Sequence, residues 1–198
     1  MKGNRVIATT LSVALLLSAA GCDAFGVRKD MGVMHDRITR YNQALNNLDY
    51  GTVRDLTDWT EEDSDYTAIE ELFDVTYYGD EEGDGFVDCT KYIASTSNIK
   101  FNVTGARIDN NFASLDVTYE MVDWKSVYSE PHDSYKEVLE DLKNCQQVLT
   151  IEGTITLENI DGQDDWRLCR INDLNELMSF VYALPDVSEL VAADALDL

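Results

Sequence analysis

Apolar residues recur at helical spacing in the first part of the chain. They predict an amphipathic helix from Asp30 to Leu48, because an apolar residue every three or four positions forms one face of a helix. The sequence TVRDLTDW at 52–59 predicts a second, short helix. Thr67 and Glu70 have the spacing of a capping box, so a third helix should begin there. The apolar positions of the first helix are Met34, Ile38, Tyr41, Leu45 and Leu48.

The pattern changes in the middle of the chain. Residues 79–85 are acidic and interrupted by glycine, which predicts a loop. Beyond residue 89, apolar and polar residues alternate over 99–103 and again over 115–121, as in strands with one buried face. The sequence Asp-Asn-Asn at 109–111 favours a turn. We therefore expect these two strands to form a β-hairpin.

A helical segment then interrupts the strands. Residues 129–144 carry a short apolar stripe at helical spacing, after which alternation resumes over 149–157. A turn at Asp161–Gly162 leads into a fourth strand, WRLCRI, at 166–171. Asp173 is expected to cap a last helix that ends at Pro185.

Helices followed by antiparallel strands predict an α+β fold. We expect N-terminal helices packed on a curved, cone-like antiparallel sheet of about four strands, with an extra C-terminal helix. The length fits a single domain, which we place at residues 31–184, followed by an acidic tail at 185–198.

Two segments resemble the nuclear transport factor 2-like (cystatin-like cone) superfamily. YNQALNNLDYGTVRDL, at 41–56, is similar to its opening helices, and DGQDDWRLCRI, at 161–171, is similar to its closing hairpin. The resemblance covers residues 31–172 and implies a concave pocket between sheet and helices. The helical insert at 129–144 and the helix after Asn172 depart from the short form of the family, so strand order and the mouth of the cone stay open.

The first 22 residues predict export from the cytoplasm. A basic start, MKGNR, precedes fifteen mostly apolar residues that would span ~22 Å as a helix, less than the ~30 Å core of a bilayer. Small residues follow, as expected of a secretory leader at residues 1–21. The sequence Ser18-Ala19-Ala20 could direct ordinary cleavage and free a soluble protein that starts at Gly21.

The residues before Cys22 also resemble a bacterial lipobox. In that motif, here Ala19-Ala20-Gly21-Cys22, the leader is removed and the cysteine is lipidated. The resemblance implies palmitate-type chains on Cys22, a tether at residues 22–30 and a place on the bacterial cell membrane, facing outside the cytoplasm. Leucine usually stands where this chain has Ala19.

The charge of the chain restricts its partners. The 198 residues carry 38 acidic and 15 basic side chains, a net charge of −23. Loss of residues 1–21 removes Lys2 and Arg5 and no acid, which would leave 13 basic residues and a net charge of −25. Nucleic acid is therefore not expected as a partner, because such binding depends on Lys and Arg at the phosphates. The acidic surface serves solubility or attracts cations and basic partners.

One acidic stretch resembles part of a calcium-binding loop. Oxygen side chains stand at positions 1, 3, 5 and 9 of an EF-hand pattern, and Gly85 stands at position 6, where the loop turns. Position 12 is Lys91, whereas an EF-hand has glutamate there, so any calcium site would be weak. The alternative is a solvated acidic loop. The four candidate ligands are Asp80, Glu82, Asp84 and Asp88.

The superfamily resemblance also implies residues to inspect for catalysis. An isomerase of the ketosteroid type needs a carboxylate base in an apolar pocket and tyrosine donors to the developing oxyanion. The residues to inspect are Tyr41, Tyr50, Asp74 and Tyr119.

The cysteines that follow Cys22 are odd in number, allow at most one internal disulfide, and are expected as small buried side chains. They are Cys89, Cys145 and Cys169.

These observations favour a lipoprotein that binds a ligand or protein partner, without catalysis and without a required cofactor. Two alternatives stay open. One is a small pocket enzyme of the ketosteroid isomerase or cyclase class. The other is a structural component of an envelope complex, for which tethering would raise the effective concentration near its partner.

Overall fold

The computed structural model describes residues 23–60, 70–75, 83–160, 162, 165–171 and 174–188. An open antiparallel sheet is covered on one face by helices, which confirms the predicted α+β fold. The helices are α1 (Asp23–Asn47), α2 (Tyr50–Leu56), α3 (Asp84–Ser95), α4 (Trp124–Tyr128), α5 (Tyr135–Asn144) and α6 (Leu174–Leu177). The strands are β1 (Asn98–Phe101), β2 (Arg107–Asp109), β3 (Phe112–Val122), β4 (Val148–Asn159) and β5 (Trp166–Ile171).

The sheet has the order β1-β3-β4-β5, and the short strand β2 also pairs with β3. Strands β3 and β4 pair along their whole length, from Phe112 opposite Glu158 to Val122 opposite Val148. Every second residue of β3 is buried against the helices, as the alternation predicts. The buried residues of β3 on this face are Ala113, Leu115, Val117, Tyr119 and Met121.

The predicted strand over 99–103 is wrong at its end. The chain leaves the sheet after β1 and makes a 3-10 turn, Val103–Gly105, before β2 returns to β3. The cause is Asn102, whose side-chain oxygen accepts hydrogen bonds from the backbone N–H and the hydroxyl of Thr104. Such local bonds compete with strand pairing. The sheet therefore has five strands, one more than predicted.

Helix α1 carries the predicted apolar stripe, with Met34, Ile38, Tyr41 and Leu45 buried in the core. It begins at Asp23, so residues 23–30, predicted as a tether, are helical. The helix ends where Leu48 adopts a positive φ of 53°. The Asp49 carboxylate then caps α2 by accepting a hydrogen bond from the Thr52 N–H at 3.0 Å.

Helix α3 was not predicted. The predicted loop at 79–85 is wrong for Asp84 and Gly85, which lie in this helix; residues 79–82 lie outside the described residues. The buried residues of α3 recur at helical spacing, as Phe86, Cys89 and Ile93. The start of the predicted third helix, at 67–69, also lies outside the described residues, and residues 70–73 are helical.

The insert between β3 and β4 forms two helices, α4 and α5. Helix α5 is capped by Ser134, whose hydroxyl accepts from the Glu137 N–H, while the Glu137 carboxylate accepts from the N–H of Asp133, one residue before the cap. After β5, the predicted last helix is split into α6 and a 3-10 turn, Ser179–Val181. Residues 185–188, predicted as part of the tail, pair with the backbone at His132.

The two ends of the sheet differ. The hairpin end comprises the β2–β3 turn, the end of β4 and the start of β5. At this end the Trp166 Nε1–H donates to the Asp30 carboxylate of α1 at 3.2 Å. The helical end comprises the end of β3, the start of β4 and the helices α4 and α5. Ten residue steps along β3 separate the two ends by about 34 Å.

Candidate functional site

Of the four residues to inspect for an isomerase site, the structure brings Tyr41 and Tyr119 together. Tyr41 and Tyr119 are buried in the core, where burial, and next the neighbouring Tyr119, raise the pKa of Tyr41 well above its usual value. Packed side chains fill the space around them. Tyr50 packs its ring 6.0 Å from that of Phe73, and Asp74 is exposed. An isomerase base stands in an apolar pocket, and an exposed carboxylate lacks such surroundings.

The candidate calcium ligands are only partly described. Asp80 and Glu82 lie outside the described residues. Asp84 is the first residue of α3, and Asp88 is exposed one helical turn later. Within the described ranges, no three His, Cys, Asp or Glu side chains are grouped as a metal site. The calcium loop stays a prediction.

A cavity at the helical end has the most distinctive chemistry. It has a volume of about 490 Å³ and lies between α4, α5 and the segment that leads into β4. Two carboxylates, three amides, one hydroxyl, one thiol and one imidazole face it, and none of the described lining residues is Lys or Arg. We call it the His132 cavity. Its described lining residues are Ser126, Val127, Glu130, His132, Asp141, Asn144, Cys145, Gln146 and Gln147.

His132 is the buried polar residue of this cavity. Its side chain is 2% exposed, and its Nε2 lies 3.3 Å from the Asp141 carboxylate. A carboxylate only accepts hydrogen bonds, so Nε2 is the ring nitrogen that donates in this pair. Nδ1 is buried and has no hydrogen-bond partner among the described residues. A buried polar atom without a partner is costly, so this nitrogen is an unusual feature of the ring.

The backbone fixes this histidine in place. The His132 N–H donates to the Asp186 carbonyl at 2.9 Å, and the Ser188 N–H donates to the His132 carbonyl at 3.0 Å. Val187 between them is buried. The imidazole is therefore held between the C-terminal segment and α5, a position that the sequence pattern alone does not reveal, because it depends on contacts over 50 residues apart.

The cysteines after residue 22 are free thiols in three environments. Cys145 is half-buried beside the His132 cavity, with Sγ 3.8 Å from the Gln147 carbonyl oxygen. Cys89 is buried in the core, and this burial, followed by the nearby Asp88, raises its pKa to about 12. Core burial of Cys89 agrees with the predicted role of a small apolar side chain.

Cys169 lies in a second cavity of about 490 Å³, on the outer face of the sheet near the hairpin end. Burial raises its pKa to about 11, with smaller contributions from Asp58 and Glu158. A thiol with a raised pKa is a weak nucleophile at neutral pH, since the thiolate is the reactive form. Cys169 is therefore not an activated nucleophile, and of the two cavities the His132 cavity is the better candidate site.

Comparisons of this chain with protein-family models, with curated proteins and with solved structures find no match. The resemblance to the nuclear transport factor 2-like superfamily therefore stays a prediction. In the described part of the chain, no helix combines the length and the apolar character needed to cross a bilayer. Cys22, the predicted lipidation site, lies outside the described residues.

Proposed function

We propose that this chain is a lipid-anchored extracytoplasmic binding protein, without catalytic activity, that presents the His132 cavity to a cationic partner with N–H donors. The single observation that carries the proposal is a cavity lined by two carboxylates, three amides and the buried His132, with no Lys or Arg among the described lining residues. An ammonium group would donate to the carboxylate and amide oxygens that line the cavity, and the carboxylates of Glu130 and Asp141 would offset its charge. The net charge of −23 would also draw cations toward the surface.

The position of the cavity supports the same proposal. Helix α1, which follows Cys22 in the sequence, contacts the sheet at the hairpin end through Asp30 and Trp166. The His132 cavity lies at the helical end, about 34 Å away along the sheet. A protein anchored through Cys22 would thus hold its binding cavity away from the bilayer, open to partners in the surrounding space.

The anchor is tested by labelling cells with a palmitate analogue. We expect the wild-type chain to take up label and the Cys22→Ala variant to take up none, because Cys22 is the residue to which the lipid is attached. Mass spectrometry of the purified protein should find Cys22 as the acylated first residue. Equal labelling of the two proteins, or an unmodified Cys22, would contradict the anchor.

Ligand binding can be followed on the two histidines of the chain, His35 and His132. His35 is exposed on α1, beside Phe101, and serves as an internal control. We expect millimolar putrescine, a small diamine, to shift the imidazole ¹⁵N resonances of His132 and not those of His35. Glutamate at the same concentration should shift neither, because a carboxylate would be repelled by Glu130 and Asp141.

The Asp141→Asn variant sharpens this test. It retains the shape of the side chain and removes one of the two charges, so we expect putrescine to bind it several-fold more weakly. If putrescine moves both histidines equally, the effect is general attraction to an acidic protein, and the proposed cavity is wrong. If neither histidine moves, a cationic ligand for this cavity is also wrong.

A further inference from the structure

Three large apolar side chains are exposed at the hairpin end. Ile108 is 44%, Phe112 is 46% and Ile160 is 41% exposed. Ile108 lies opposite Ala113 at the edge formed by β2, and Phe112 begins β3 directly after the turn. Ile160 follows β4, which is joined to the same turn because the Asn159 N–H donates to the Asn111 carbonyl at 2.8 Å. We call these three residues the apolar tip.

The start of α1 lies at the same end as the apolar tip. The Ile160 N–H donates to the carbonyl of Asp165, whose carboxylate pairs with Arg37 of α1 at 3.2 Å. The next residue, Trp166, bonds Asp30 of α1. From Asp30 back to Asp23, α1 continues for seven residues, about 10 Å at the helical rise. Cys22 is the next residue in the sequence.

We propose that the apolar tip enters the interface of the bilayer that holds the lipidated Cys22, so that the domain touches the membrane at a second place. This inference rests on the proposed lipid anchor. A short helical connection would hold the tip close to the lipid surface, and apolar side chains gain by leaving water. The proposed contact with the lipid is apolar and not ionic. Arg107, the basic residue beside Ile108, is already paired with the Asp116 carboxylate through two hydrogen bonds of 2.7 and 2.8 Å.

The test uses the full, acylated chain in phosphatidylcholine vesicles whose acyl chains carry bromine, which quenches tryptophan at short range. Tryptophan is introduced at the tip by Phe112→Trp or Ile160→Trp. The matched control is Val148→Trp, because Val148 is 57% exposed on the same sheet but lies at the helical end. Quenching by bromine is compared with the unmodified chain, which has three tryptophans of its own.

We expect the two tip variants to show at least twofold more quenching of the added tryptophan than the Val148→Trp control. Equal quenching at both ends would overturn the tip contact while leaving the anchor intact, since acylation of Cys22 is first verified by mass spectrometry. Absence of acylation would overturn both. A third outcome is bromine quenching at background level and a tryptophan emission spectrum that shifts as more protein is bound to each vesicle. It would show that the tip contacts a second copy of this chain, and it would also overturn the proposal.

Discussion

Replacing Gly85 with alanine should destabilise the fold by about 1–3 kcal/mol, as overpacking of a buried contact does. Gly85 lies in the first turn of α3, where that helix meets α5. A Cβ at this position would lie 2.6 Å from the Cβ of Tyr135, well inside van der Waals contact. Because Cβ is fixed by the backbone, a rotamer change of Tyr135 cannot relieve the overlap, and α3 and α5 would have to move apart. Urea unfolding, monitored by circular dichroism, measures the decrease in the free energy of unfolding.

Gly32→Ala is the matched control. Gly32 is also helical, in α1, but nothing lies within 4 Å of the position of its Cβ. There alanine should be neutral or stabilise by up to about 1 kcal/mol through helix propensity. In a Tyr135→Gly background, Gly85→Ala should lose most of its cost, because the opposing Cβ is absent. If Gly85→Ala in the wild-type background lowers the free energy of unfolding no more than Gly32→Ala does, α3 and α5 do not make this close contact.

The same glycine explains why α3 was missed in the sequence. Residues 79–85 contain glycines among acids, a composition typical of loops, and an isolated glycine lowers the expectation of a helix. In the structure Gly85 is required by the approach of Tyr135, which is 50 residues away and invisible to a local pattern. Where the pattern was local, as in the stripe of α1 or the alternation of β3, prediction and structure agree.

The candidate site was harder to predict than the fold. Tyr41 and Tyr119 carry chemically versatile side chains, yet both follow the buried face of their elements and are part of the core. His132 belongs to neither a helical stripe nor an alternating strand. Its burial results from pairing with the segment around Val187 and from the nearby Asp141. A local sequence window contains no trace of the first of these contacts, so the cavity could be found only from the folded chain.

Replacing Trp166 with alanine should cost about 3–5 kcal/mol of stability, the range for large aromatic residues truncated in a core. Trp166 begins β5, is buried, and joins the sheet to α1 through the bond from its Nε1–H to Asp30. The lost stability therefore has two sources, the cavity left by the indole ring and the missing hydrogen bond to α1 at the hairpin end. Hydrogen exchange should show the first turns of α1 opening more often than the rest of the helix, because their bond to the sheet is absent.

Two further variants separate these contributions. Trp166→Phe retains most of the apolar ring and removes the donor to Asp30, so it should cost about 1.5–3 kcal/mol, the range for a hydrogen bond to a charged group. Trp59→Ala makes the same truncation at a half-buried tryptophan and should cost less than Trp166→Ala. Because α1 directly follows Cys22 in the sequence, loosening its docking would also separate the apolar tip from the proposed anchor. If Trp166→Ala costs no more than Trp59→Ala, the sheet does not hold α1 through this residue.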